Sequence, residues 1–206
     1  MVKEQLYILG AGGHAKVVAD AAQASGQWRE IILLDRCSAP YAVGPWQVLP
    51  EPQDPSTLAG RGVQFICGMG DNRLRLKLQT RWEALGLAFA TVIHPAGVVS
   101  PLADLGPGSF VAAGGVVNID TTIGRCVVIN TGATVDHDCQ LADGCQIAPG
   151  AHLGGGVRVG EATMVGIGAV IKLGCHVGRD VTIGVGAAVV TAVPDGVIVK
   201  GVPGRW

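Results

Sequence analysis

The chain has 206 residues, with 15 Lys and Arg against 16 Asp and Glu and a formal net charge of −1. Residues 1–94 carry a net +1 and residues 95–206 a net −2, so neither half offers the basic field that bulk nucleic-acid binding requires. No unbroken apolar run reaches the length of a membrane span, because Lys172 interrupts the most apolar stretch; neither a nucleic acid nor a membrane is expected as a partner.

The first ninety residues alternate strands and helices. Met1 leads through Lys3 and Glu4 straight into a strand without the pattern of a signal peptide, which points to a cytoplasmic protein. Residues 6–9 (Leu-Tyr-Ile-Leu) read as a buried strand, followed by Gly10-Ala-Gly-Gly-His14. A helix is predicted over residues 15–25, with Val17, Val18, Ala21 and Ala22 on its apolar side and Gly26 as its stop. Residues 31–34 form a second strand ending at Asp35. A loop carrying Pro40, Pro45, Pro50, Pro52 and Pro55 follows, with one short strand around residues 46–49. Gln64–Cys67 reads as another strand, leading into Gly68-Met-Gly-Asp-Asn72 and a basic amphipathic helix over residues 72–85. Residues 89–92 then run through His94-Pro95 into a different kind of sequence. This alternation implies a small parallel α/β unit spanning residues 1–94.

In such a unit ligands bind at the carboxyl ends of the strands. Two glycine-rich turns, residues 10–13 and 68–70, arrive there with Asp35 between them. Glycines let the backbone approach a phosphate or a sugar, and the N-terminus of the first helix offers free N–H groups and a positive dipole end. Gly10-x-Gly12-x-x-Ala15, with an acid about twenty residues later, meets a loose dinucleotide fingerprint. The same glycines also serve strand–helix packing in Rossmann-like folds. A ninety-residue unit lacks room for a second nucleotide, which argues against hydride transfer.

From Val99 to Val189 every sixth residue is Val, Ile or Leu, sixteen times in succession. Chance would give such a run with odds on the order of 1 in 10⁸. Four places after each aliphatic stands a small or β-branched residue, and Gly often follows the aliphatic directly, as at Gly106, Gly124, Gly154 and Gly160. A period of six fits neither an α-helix nor an alternating strand; it fits a hexapeptide β-helix of about five triangular coils. The aliphatic and the small residue should face inward, and the adjacent Gly should supply backbone freedom at the bend. Residues 95–206 are therefore expected to form a β-helix. Cys139, Cys145 and Cys175 fall in the small inward slot, where a thiol is a small hydrophobe. No CxxC pair occurs, and His137, His152 and His176 lie too far apart for a three-histidine zinc site, so no metal is expected.

Chemistry centres on Val135-Asp136-His137-Asp138. His137 is third in its hexapeptide, outside the inward slots, and acids flank it. A carboxylate bonded to one imidazole nitrogen fixes the tautomer and raises the basicity of the other. Neighbouring residues in a flat strand point to opposite sides, so Asp138 reaches His137 only near a corner; Asp136 is the rival partner. His94 reads as a hinge, and His152 and His176 as surface or interface residues.

These features together resemble the bacterial sugar acyltransferases that join a Rossmann-like nucleotide-sugar domain to a left-handed β-helix. The marks are Tyr7-Ile-Leu-Gly-Ala-Gly-Gly-His14, Gly70-Asp-Asn-Arg-Leu-Arg75, His94-Pro95, Ile129-Asn-Thr-Gly-Ala133 with Val135-Asp-His-Asp-Cys139, and Gly201-Val-Pro203. They span essentially the whole chain and are most similar to the GDP-perosamine N-acetyltransferase branch. The resemblance implies acetyl-CoA as co-substrate, a homotrimer with sites between neighbouring prisms, and transfer to a nucleotide-linked 4-amino-4,6-dideoxy sugar, GDP-perosamine or a UDP-linked analogue. It assigns His137 as general base with Asp138 as its partner. Gly12, Gly13, His14, Asp35, Arg36, Gly70 and Asn72 are then expected to bind the nucleotide sugar. Gln146, Gly155, Ile167 and Val185 are expected to hold acetyl-CoA, with the tail from Lys200 to Arg205 near its phosphates. Relatives commonly carry His where this chain has Gln146, which puts a charged role there in doubt. O-acetylation of a sialic-acid-type hydroxyl, or nucleotide-sugar binding without catalysis, are the alternative readings.

Overall fold

The computed structural model describes residues 3–60 and 62–206. Its N-terminal part is a five-stranded sheet. Strands β1 (Lys3–Leu9), β2 (Trp28–Asp35), β3 (Tyr41–Val43), β4 (Trp46–Pro50) and β5 (Gln64–Cys67) lie in the order β3-β4-β2-β1-β5. All neighbours are parallel except β3, which closes an antiparallel hairpin onto β4. The proline-rich stretch thus holds this hairpin and a 3₁₀ turn at Pro55–Leu58, more structure than the sequence suggested.

Alternation along the strands sends two apolar sets to opposite faces of the sheet. Leu6, Ile8, Leu33, Val48 and Ile66 meet helix α1 (Gly13–Ser25) on one face. Leu9, Ile32, Leu34, Phe65 and Cys67 meet Trp82 of helix α2 (Asn72–Glu83) on the other. Ala15, Ala19, Ala21 and Ala22 make α1 thin enough to be shared: the same cluster takes in Phe110, Ala112 and Val128. Gly26 ends α1 in the left-handed conformation, as expected, but the helix begins at Gly13, so His14 stands in its first turn.

Two-residue strands from Val92–Ile93 to Ile198–Val199 then wind a three-sided prism whose sheets hold six, five and seven parallel strands. The architecture is that of a hexapeptide-repeat left-handed β-helix following an α/β unit. Val116 pairs with Thr134 and Thr134 with His152, a return of eighteen residues per coil. The inward aliphatics Val117, Val135, Leu153, Ile171 and Val189 consequently stack in one column. The last coil is two residues shorter, since Thr182 pairs with Ile198 and Val177 with Val193. That shortening explains why the six-residue period lapses after Val189. Among the described residues no helix is long and apolar enough to cross a membrane.

The glycines beside the aliphatics have a different role from the one expected. Gly106, Gly124, Gly154 and Gly160 do not take positive φ. They are needed because the next coil passes too close: a Cβ on Gly160 would lie 2.4 Å from the Arg179 amide nitrogen. The left-handed residue instead comes three places after the aliphatic. It is Gly at most corners and Asp120, Cys126, Asp138, Ala162 or Asp180 at five others.

Two substitutions should therefore change stability in opposite directions. Gly160→Ala should destabilise by roughly 1–3 kcal/mol, because the coils must separate locally. Ala162→Gly, which relieves a φ of 55°, should stabilise by about 1 kcal/mol. Paired denaturation curves would check this, and a harmless Gly160→Ala would refute the close-approach explanation.

Candidate active site

The strands β1, β2 and β5 end side by side at Leu9, Asp35 and Cys67, and a cavity of about 420 Å³ opens beyond them. Gly12, Gly13, His14, Asp35, Arg36 and Gly70 line it together with Glu51, Leu74 and Leu78. Glycine is required for different reasons around its rim. A Cβ on Gly68 would lie 2.6 Å from the Ala15 Cβ, so Gly68 serves helix packing. A Cβ on Gly12, Gly13 or Gly70 would meet nothing within 4 Å. Those three leave space that no part of the chain fills. No side chain caps α1 at Gly12, so its first-turn N–H groups remain available to an anion at the same rim.

Asp35 is held in place: its carboxylate accepts from the Arg36 N–H at 2.8 Å and from the Tyr41 hydroxyl at 3.2 Å. His14 packs edge-on against Phe110 of the prism, and its Nε2 is buried without a partner. Burial first, and then the positive charge of Arg75, push His14 down to about 4, so it is neutral at ordinary pH. Asn72 departs from its expected place in this group. It is buried at the junction with the prism, where Nδ2 donates to the Ala162 carbonyl at 3.0 Å and Oδ1 accepts from Arg75. Its side chain is occupied by the protein and turned away from the cavity lining.

On the prism, His137 stands at the corner after strand Thr134–Val135, with more than half of its side chain exposed. Asp138 occupies the left-handed slot of that corner, with φ 60°. The turn brings its carboxylate back to the imidazole, and Oδ2 lies 2.7 Å from Nδ1. Asp136 does another job: its Oδ1 accepts from the His137 backbone N–H and from the Asn118 amide, both at 2.9 Å. Those bonds hold the Asp136 carboxyl below the usual carboxylate range. The Asp138 hydrogen bond, then the Asp136 charge, raise His137 above its ordinary value. Beneath the ring lies Gly155, where a Cβ would come 2.5 Å from Cε1.

Gln146, Ile167 and Val185 do not join that corner. They line a separate groove of about 330 Å³ along the strands Gln146–Ile147, Met164–Val165 and Thr182–Ile183, on a different edge of the prism. Ile167 and Val185 are exposed there, and Gln146 Oε1 is buried and unpaired. Gly155 belongs with His137 and the other three with the groove. The tail turns back on itself through paired backbone hydrogen bonds between Lys200 and Arg205.

Two inward thiols near in sequence to His137 are unsuited to covalent chemistry. Cys139 and Cys145 are fully buried and donate to the carbonyls of Gly154 and Gly160. Burial raises both thiols, Cys145 to about 12. Among the described residues no group of three His, Cys, Asp or Glu side chains is placed to hold a metal.

Both parts of the chain match known protein families. Residues 5–82 match the PglD N-terminal domain family, and residues 120–155 match the bacterial transferase hexapeptide family of six repeats. A UDP-N-acetylbacillosamine N-acetyltransferase of Bacillus subtilis (strain 168) is 34% identical over 111 residues. That match takes in 52% of this chain and only 50% of the relative's length. The acetyltransferase domain of PglB from Neisseria gonorrhoeae FA1090, solved with acetyl coenzyme A, superposes with a TM-score of 0.94 at 39% identity, over 98% of each chain. PerB from Caulobacter crescentus, solved with CoA and GDP-perosamine, gives a TM-score of 0.89 at 39% identity, over 97% of this chain and 95% of its own.

Proposed function

Because the chain belongs to the nucleotide-sugar acetyltransferases built from a PglD-type domain and a hexapeptide prism, we propose that it transfers an acetyl group from acetyl-CoA to the amine of a nucleotide-linked 4-amino-4,6-dideoxy sugar. The observation that carries the chemistry is the His137–Asp138 pair at an open corner, in a chain whose cavity at the strand ends is lined by otherwise unexplained glycines.

The cavity suits a nucleotide sugar. Gly12, Gly13 and Gly70 leave room for the diphosphate beside the α1 N-terminus, and Asp35, Arg36 and neutral His14 offer polar groups at its wall. On the prism, the fit to a thin co-substrate rests on three features: the unpaired Gln146 Oε1, the exposed apolar Ile167 and Val185, and the bare Gly155 backbone under His137. These residues would hold acetyl-CoA, which supplies the acetyl group as an activated thioester. Gln146 contributes a neutral hydrogen bond, since its amide cannot carry charge.

His137 acts as general base. Asp138 bonds Nδ1–H, which leaves Nε2 free to take the proton that the sugar amine sheds as its nitrogen attacks. Asp136, itself tied to Asn118, fixes the backbone of the corner. No thiol enters the reaction, in keeping with the inward Cys139 and Cys145. Because His137 and the Gln146 groove occupy different edges of one prism, a homotrimer that sets one chain's corner against its neighbour's groove supplies a complete site. The reaction belongs in the cytoplasm, where both substrates are made.

Assay of acetyl-CoA consumption with GDP- and UDP-linked 4-amino sugars tests the proposal. Turnover is expected with at least one of them, and His137→Ala should lower kcat by about 10²–10⁴ with the fold intact. Turnover confined to hydroxyl acceptors, or near-normal kcat in the variant, would refute it. Activity should rise with pH through the raised His137 midpoint, since the neutral ring is the working form. Asp138→Asn removes the main cause of that raise, so the acid limb of kcat/KM should move to lower pH while the plateau falls by ~10-fold or more. An acid limb that stays in place would separate Asp138 from His137. Light scattering should give three times the chain mass; a monomer with full activity would exclude the shared site.

A further inference from the structure

Helix α2 buries Trp82 and Leu76, and beside them it also buries long polar side chains. Arg75 and Gln79 are completely inaccessible, whereas Leu74 remains half exposed. The Arg75 guanidinium donates through Nε to the Cys126 carbonyl at 3.1 Å and through Nη1 to the Met69 carbonyl at 3.2 Å. Its Nη2 donates to Asn72 Oδ1 at 3.0 Å and to the carbonyls of Gly144 and Cys145 at 2.9 and 3.3 Å. Every acceptor is neutral, and no carboxylate among the described residues forms an ion pair with Arg75. A buried cation without a counter-charge is expensive, and an apolar side chain of similar volume would commonly serve stability as well or better. What an apolar residue could not do is join these particular carbonyls.

Those carbonyls belong to two different parts of the molecule. Met69 lies in the 68–70 turn, whose residues line the glycine-rich cavity. Cys126 and Gly144 belong to successive coils of the prism, eighteen residues apart. The planar fork of the guanidinium can hold all three at once, which a lysine's single ammonium cannot. A second residue of the cavity senses the same group: His14, whose buried Nε2 has no partner, lies within the field of the Arg75 charge.

We propose that Arg75 is a positioning residue for the acceptor: its guanidinium clamps the 68–70 turn to the prism and so sets where the nucleotide sugar is presented to the prism's chemistry. This rests on the cavity being the acceptor site. The residue touches no substrate; it acts through the turn and through the electrostatics of His14.

The test uses the full-length protein with Arg75→Met and Arg75→Lys. In Arg75→Met, kcat/KM for the nucleotide amino sugar should fall by about 10- to 100-fold. The KM for acetyl-CoA should stay within about twofold, since the groove lies elsewhere. The protonation midpoint of His14, followed by NMR, should rise once the cation is gone. Arg75→Lys keeps the charge, so the His14 midpoint should stay low while the kinetic loss persists. A structural role alone would lower turnover without shifting the balance between the two substrates. Unchanged kinetics, or equal losses for both substrates, would overturn the proposal, and if the Met variant fails to fold the Lys variant applies the same criteria. If the wild-type protein turns over no nucleotide amino sugar, the functional reading fails, and amide exchange of the 68–70 turn decides the clamp: faster exchange in the variants supports it, and unchanged exchange overturns it.

Discussion

Every position on the prism follows from one packing requirement: a coil of eighteen residues must return each inward aliphatic onto the one below. Val117, Val135, Leu153, Ile171 and Val189 meet it in one column, and the small residues beside them keep the prism narrow. Once that column is set, the outward residues are placed by register. The left-handed slot comes at the same point of each hexapeptide, and where it holds Asp138 the turn carries the carboxylate back to His137. One coil on, the residue under the imidazole is Gly155, and only a residue without a Cβ leaves the ring its place.

The α/β unit depends on that prism in turn. Its sheet is covered by two helices, but α1 is shared with Phe110 and Val128, and α2 turns Arg75, Gln79 and Asn72 toward prism carbonyls. Outer ion pairs reinforce the seam: Arg73 reaches Glu161 and Asp180, and Arg125 joins Glu83 to Asp143. Such exposed pairs contribute little individually. The buried polar contacts set the geometry, because each unsatisfied group in the seam would carry a desolvation penalty.

Two histidines show how burial sorts chemistry in this molecule. His14, enclosed and close to a buried cation, is held neutral and suits hydrogen bonding at a cavity wall. His137, exposed and flanked by two carboxylates, becomes more basic than an ordinary imidazole. Desolvation dominates the first, and the hydrogen bond with Asp138 dominates the second. The cysteines follow the same logic: in the inward slots their thiols stay protonated and are inert fillers.

The six-residue period by itself determined the prism, the inward cysteines and the outward placement of His137, because a repeat that packs against its own copies writes its geometry into the sequence. The strand and helix order of the first ninety residues was legible for the same kind of reason, alternation and helix punctuation being local signals. Other features had no local signal. The glycines that directly follow some of the aliphatics are explained by the next coil's close approach, and the burial of Arg75 and Asn72 by carbonyls 50 to 90 residues away. Likewise, only the tertiary structure separated Gly155 from Gln146, Ile167 and Val185, and chose Asp138 over Asp136 for the imidazole. Those outcomes depend on corners and seams, where the neighbour that decides a residue's role is close in space and distant along the chain.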